Sequence, residues 1–194
     1  NGLHVHFSIL DNNNENIFNN FTNKGSECLL NAVSGCLNFM KDSTLIFAPN
    51  HNSYDRFSTG AHAPTAINWG YENRTTAIRI PGGPDIAKRI EHRVAGGDAN
   101  PYLVLASILG AAINGMESKM EVEEPISGDG YISGGVSIIK DWKKSIECFS
   151  NSQQIKKIFD PLLIRSFVDC KKQELNYFKD KSYNHIIQTT INAI

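Results

Sequence analysis

Arg89-Ile90-Glu91-His92-Arg93 is the stretch of this chain least suited to building a core. Read as a strand, it sends alternate side chains to one face. Arg89, Glu91 and Arg93 then share a side, and Ile90 and Val94 take the other. Guanidinium forks hold phosphate and carboxylate oxygens. A carboxylate oxygen suits a divalent cation. For an isolated R-x-E-x-R, the plain alternative is an exposed, salt-bridged strand. The surrounding residues argue against it. Arg79 belongs to a neighbouring strand and Arg74 lies just before it, so four arginines fall within twenty residues. Glu72, Asp85 and Glu91 are too few to neutralise all four. An outside anion, such as a nucleotide phosphate or a carboxylate, would complete the balance. The chain has no G-x-x-x-x-G-K-[ST] and no G-x-G-x-x-G. Phosphate would therefore be bound by side chains and metal rather than by a glycine-rich turn.

Two further groups carry candidate chemistry. His4 and His6 stand two apart, with Ser8 in phase, so a strand points all three into one cleft. Neutral imidazole ligates metals and, as a donor, can face phosphate. An H-x-H pair on its own is more often plain surface. Arg56 closes the segment Asn52-Ser53-Tyr54-Asp55-Arg56 and could clamp a carboxylate through two bonds, although an exposed loop arginine would read the same way.

These groups need elements to hold them. Leu3 to Leu10 alternates as a strand, followed by an Asn-rich loop from Asp11 to Asn23. Asp11, Asn13 and Glu15 faintly suggest a calcium loop, but its glycine and last glutamate are missing. Glu27 to Met40 carries a helical stripe of Leu29, Val33, Cys36, Leu37 and Met40. Residues Pro49 to Pro64 are irregular. Thr75 to Ile80 and Ala87 to Val94 are strands, separated by the turn Pro81-Gly82-Gly83-Pro84. Asp98 is the expected cap of a helix with Pro101 in its first turn. That helix is apolar on nearly every side, so burial is expected. Glu121 to Gly135, with Gly128, Gly130 and Gly134, is a long connector. From Val136 onward the pattern is helical: Trp142, Ile146 and Phe149 mark one stripe, and Ile164, Phe167 and Val168 another. The layout is α+β, with an antiparallel sheet and helices packed on one side.

Composition sets the outer bounds. A chain of 194 residues with 41% hydrophobic content supports a real core. Nineteen basic against twenty acidic residues, with no basic block, gives nucleic acid little to hold, so no nucleic acid partner is expected. The four cysteines form no C-x-x-C pair and no disulfide framework. The longest apolar run is too short to span a bilayer, so no membrane partner is expected. There is no initiator Met, and a strand starts at once; the expectation is a C-terminal piece of a longer protein.

Taken in order, the motifs resemble the glutamine synthetase family. They are Gly2-Leu3-His4-Val5-His6-Phe7-Ser8, Asn52 to Arg56, Ala63-Pro64, Asn73-Arg74 through Ile80-Pro81, Arg89 to Arg93, and Ala99-Asn100-Pro101-Tyr102-Leu103. The resemblance implies that residues 1–194 are the C-terminal portion of a catalytic domain. Residues 1–118 would hold the sheet and site motifs, and 136–194 a helical region. It further implies roles. His4 and Glu91 would bind a divalent metal, Mg²⁺ or Mn²⁺. His6, Ser8, Arg79 and Arg89 would lie on ATP, Arg56 and Arg93 would grip glutamate, and Arg74 would steady the phosphoryl group in transfer. The implied reaction activates glutamate as γ-glutamyl phosphate and passes it to an amine. A cytoplasmic, ring-shaped homo-oligomer is implied for the full protein. Glutamine synthetases proper carry a glutamate where this chain has His62, in Gly60-Ala61-His62-Ala63-Pro64. With Thr65-Ala66, Trp69-Gly70-Tyr71 and Gly96-Gly97-Asp98, that change looks more like the γ-glutamylpolyamine synthetase branch. His62 would then be a catalytic base for an amine other than ammonia; the equal alternative is that it only fills a flap and an upstream carboxylate does the work. A non-catalytic, oligomer-forming relative is the alternative, and the retention of every expected charged residue speaks against it.

Overall fold

The computed structural model describes residues 1–58, 60–132 and 135–193. Gly134, one of the connector glycines, lies outside them.

The centre is a four-stranded sheet of short strands: β1 (Val5–Phe7), β3 (Trp69–Tyr71), β4 (Ile78–Ile80) and β5 (Ile90–His92), in the order β1-β5-β4-β3. A separate two-stranded ladder pairs β2 (Ala66–Ile67) with β6 (Val136–Ser137). β5 runs antiparallel to both its neighbours, as expected. β3 and β4 run parallel, so the sheet is mixed rather than purely antiparallel. Parallel neighbours usually need a long crossover. These strands have only three residues each, and the segment from Glu72 to Ala77 is long enough to carry the chain back. Asn68 fixes that return: its Oδ1 accepts from Ala77 N, and its Nδ2 donates to Gly130 O. The 121–135 connector follows the free edge of β3, with Ile126 N donating to Trp69 O.

Alternation sorts the sheet into two faces. Ile78, Ile80, Ile90 and His92 are buried in the core. Helix α1 (Glu27–Met40) has the bounds its stripe suggests, and Ser26 caps it by accepting from Leu29 N. It crosses α3 (Pro101–Glu117) at two glycines. A Cβ on Gly35 would stand 2.2 Å from Ala111 O, and one on Gly115 2.2 Å from Asn31 O. The backbones meet there because neither residue has a side chain.

Several expectations need correction. The cap of α3 is Asn100, not Asp98: Asn100 Oδ1 accepts from Tyr102 N and Leu103 N. Pro101 occupies the first helical position, which places the cap one residue before it. α3 is also not buried all round. Val104, Ile108, Ala111 and Ala112 face inward, whereas Tyr102 (82%), Leu105, Leu109 and Ile113 are exposed, because α1 covers only one side. The region after Gly135 begins with strand β6 rather than helix; two residues are too few to show a period. Helices α4 (Trp142–Asn151), α5 (Pro161–Phe178) and α6 (Tyr183–Ala193) follow, after the short α2 (Thr44–Phe47) earlier in the chain. Trp142, Ile146, Phe149, Ile164 and Val168 are buried as their spacing suggests. The Asp11 loop is a turn, in which Asp11 Oδ1 accepts from Asn13 N and Glu15 N. All four cysteines are free.

Candidate active site

Strand register builds the site. His6 pairs with Glu91, Glu91 with Arg79, and Arg79 with Gly70, so one row crosses all four strands. Directly opposed residues share a face and touch. Glu91 is the centre of that row, with its side chain 4% exposed. Its Oε1 accepts from Arg93 Nη1 at 2.8 Å and lies 3.1 Å from His4 Nδ1 and 3.5 Å from His6 Nε2. Its Oε2 accepts from Arg79 Nη1 at 3.0 Å. Burial alone would raise the Glu91 pKa. The Arg79 hydrogen bond and the charges of Arg93, His6 and Arg79 outweigh it and hold the carboxyl below its ordinary value. His4 is pushed down by burial and by Arg93, against the pull of Glu91. The neutral ring therefore keeps a lone pair for a Lewis acid.

The cations outnumber the acids around this row. Arg79 also reaches Glu72, at 3.2 Å, and Glu72 in turn accepts from Gly82 N. Asp85 goes to Lys88 and not to an arginine. Arg93 Nη2 donates to Arg74 O, which fixes the backbone of the preceding strand's entry. Arg89 is half-buried and donates to His6 Nδ1 at 3.4 Å and Ala87 O at 3.2 Å. Arg74 is exposed beside a cleft of about 520 Å³ lined by Tyr71, Glu72, Asn73 and residues 125–128. Among the described residues, Arg56, Arg74 and Arg89 have no carboxylate within ion-pair distance. That surplus can hold an anion.

The structure thus brings together His4, His6, Arg79, Arg89, Glu91 and Arg93. Arg56 approaches the segment just after Arg93, and its Nη2 donates to Val94 O (3.0 Å) and Ala95 O (3.1 Å). Ser8 lies one residue beyond β1, exposed. His62 is not brought in: it is exposed, its ring makes no hydrogen bond or ion pair with a described residue, and its backbone is left-handed at φ 57. Sequence reasoning passed over His92 between Glu91 and Arg93. Its parity with Ile90 would have placed it on the core face. There it packs on Phe47 at 4.8 Å between ring centroids, and burial pushes its pKa down to about 3.

For a divalent ion, Glu91 and His4 are near enough to share one cation, and carboxylate with imidazole suits Mg²⁺ or Mn²⁺. The fit is partial, since no three His, Cys, Asp or Glu side chains form a ligand group among the described residues.

A family profile for the glutamine synthetase catalytic domain matches residues 1–189. The chain belongs to the glutamine synthetase family. Gamma-glutamylputrescine synthetase PuuA of Escherichia coli strain K12 is 33% identical over 178 residues, covering 92% of this chain and 38% of that protein. Gamma-glutamylethanolamide synthetase GlnA4 of Streptomyces coelicolor is 32% identical, with the same coverage. The solved ADP complex of GmaS superposes with a TM-score of 0.84 at 25% identity, covering 99% of this chain and 46% of that one. The chain therefore spans less than half the length of these family members. Among the described residues, no helix is long and apolar enough to cross a membrane.

Proposed function

We propose that the full protein is an ATP-dependent ligase that activates glutamate as γ-glutamyl phosphate and joins it to an alkylamine or polyamine. This chain would be the C-terminal portion of its catalytic domain. The carrying observation is the row around Glu91. A buried carboxylate is gripped by Arg79 and Arg93 beside two imidazoles, and among the described residues Arg56, Arg74 and Arg89 have no carboxylate within ion-pair distance. Phosphoryl transfer needs charge neutralisation and alignment more than a covalent partner, and this face supplies both.

In this reading Arg79 and Arg89, with His6 and Ser8, hold the ATP phosphates. Arg56 and Arg93 hold the carboxylate of glutamate. Arg74, at its cleft, meets the phosphoryl group between donor and acceptor. His4 and Glu91 hold Mg²⁺ or Mn²⁺ together with ligands from the rest of the protein; a bound ion there neutralises phosphate oxygens. His62 serves as a base for the amine. Its left-handed backbone is a conformation that a β-turn tolerates and that function often retains. Names of relatives that specify putrescine and ethanolamide support an amine other than ammonia. A ring-shaped homo-oligomer and a cytoplasmic location belong to the same reading.

The test is phosphate release by the full-length protein with glutamate, ATP, Mg²⁺ and a panel of amines. Release that depends on both glutamate and an alkylamine, and exceeds that with ammonia, is expected. No release with any amine overturns the reading.

A further inference from the structure

Asp98 is the carboxylate that sequence spacing assigns to a helix cap and that the fold uses elsewhere. Asn100 already caps α3, so Asp98 is free for another task. Its Oδ2 accepts from Ser53 Oγ at 2.5 Å and from Asn50 Nδ2 at 3.0 Å. Ser53 lies on the 3₁₀ segment, His51–Arg56, that ends in Arg56. Asn50 N donates to the same Ser53 hydroxyl at 2.9 Å, which closes the turn. Asp98 therefore ties that turn to the backbone that follows β5.

A second tie runs in the opposite direction. Arg56 Nη2 donates to the carbonyls of Val94 and Ala95. Gly96 lies between the two ties. A Cβ on Gly96 would stand 2.2 Å from Asp98 Oδ1 and 2.8 Å from Arg56 Nη1. The carboxylate and the guanidinium thus close over the same bare piece of backbone, where any other residue would push one of them away. Arg56 Nη1 is buried and has no hydrogen-bond partner among the described residues. Burial works against the charge of Arg56, and Asp98 is the acid whose charge offsets it.

We infer that Asp98 is the positioning residue of Arg56: it anchors the turn and holds the guanidinium over Gly96, in the place from which Arg56 meets the carboxylate of the amino-acid substrate. The inference rests on the reading of Arg56 as a glutamate contact. A planar fork held by two carbonyls keeps a fixed position and direction, which a free side chain does not.

The experiment is Asp98→Asn in the full-length protein, which keeps the shape and removes the charge. The KM for glutamate should rise about 10-fold, as for loss of one charge-assisted contact, with the KM for ATP within about twofold. Adding Asp98→Asn to an Arg56→Lys background should change the glutamate KM by less than about twofold, because the two residues act as one unit. A crystal structure of Asp98→Asn should show Arg56 displaced from the Val94 and Ala95 carbonyls. An unchanged glutamate KM, an equal rise for ATP, or full additivity with Arg56→Lys overturns the inference. If the unsubstituted protein shows no glutamate-dependent turnover, the ligase reading fails by itself. The variant structure then decides: a displaced guanidinium supports the positioning role, and an unmoved one overturns it. Should Asp98→Asn not fold, Ser53→Ala removes the anchor and leaves the charge. It should raise the glutamate KM about threefold, and no rise overturns the inference.

Discussion

Glu91 and Arg74 carry different parts of the proposed site, and their substitution should produce opposite signatures. Glu91 is buried between two guanidiniums. Removing its charge leaves Arg93 without an acid partner and Arg79 with Glu72 alone, so Glu91→Gln should cost about 3 kcal/mol of stability as well as activity. Thermal or denaturant unfolding of the variant measures this. Arg74 is exposed and makes no ion pair among the described residues. Arg74→Ala should leave the unfolding midpoint nearly unchanged and lower kcat by roughly 10³-fold or more, if it meets the phosphoryl group in transfer. Equal stability losses in the two variants would contradict the assignment. His62 tests amine choice. His62→Glu should raise use of ammonia relative to diamines, since it restores a fixed negative charge for ammonium. If that change leaves amine preference untouched while His62→Ala is fully active, His62 has no part in the choice. The meeting of the site strands in one row came from the family resemblance; the shared faces of His4 with His6, and of Arg89 with Glu91 and Arg93, were legible from residue parity, because a strand alternates whatever surrounds it. Asp98 was not. Its partners Ser53 and Asn50 lie more than forty positions upstream, a separation no local pattern encodes.

At the scale of elements, the crossing of α1 and α3 carries the fold behind the site. Gly35 and Gly115 bring the two backbones into contact, and a methyl at either would fall within 2.2 Å of a carbonyl oxygen. Gly115→Ala should therefore destabilise by about 2–3 kcal/mol, although alanine is the better helix former by about 1 kcal/mol. Chemical denaturation reads this directly, and a gain in stability would show that the crossing yields easily. Helix α1 was readable to its last residue from a one-sided stripe, and the structure adds the capping Ser26. The exposure of α3 was not readable. Its composition is apolar around the whole circumference, and composition does not tell which side a neighbour covers. The parallel pairing of β3 and β4 was hidden for another reason. It depends on the Asn68 side chain bridging to Ala77 and Gly130, and on strands too short to show direction by pattern.

For the whole molecule, pH and labelled substrate give the broadest tests. His92 is buried without charge, its pKa lowered from 6.5 to about 3. The unfolded chain binds that proton more readily than the folded one. Stability should therefore be complete above about pH 6.5 and fall below it, by up to about 1.4 kcal/mol per pH unit down to about pH 3. His4 is lowered too and adds loss in the same direction below its ordinary value. Glu91, also lowered, contributes stability above pH 4.5 that is lost as pH falls through its folded value. Replacing His92 with Phe should flatten the upper part of this acid limb, as followed by unfolding at a series of pH values. An unaltered limb would place the acid sensitivity elsewhere. The central claim is that the glutamate carboxylate attacks the γ-phosphorus of ATP on the arginine-rich face around Glu91. If it does, one carboxylate oxygen leaves with phosphate when the amine displaces it. The direct measurement uses glutamate labelled with ¹⁸O in the γ-carboxylate, with ATP and an alkylamine, on the full-length protein. The account predicts one ¹⁸O in each phosphate released, and loss of that transfer in Arg74→Ala. Phosphate released without label would contradict it.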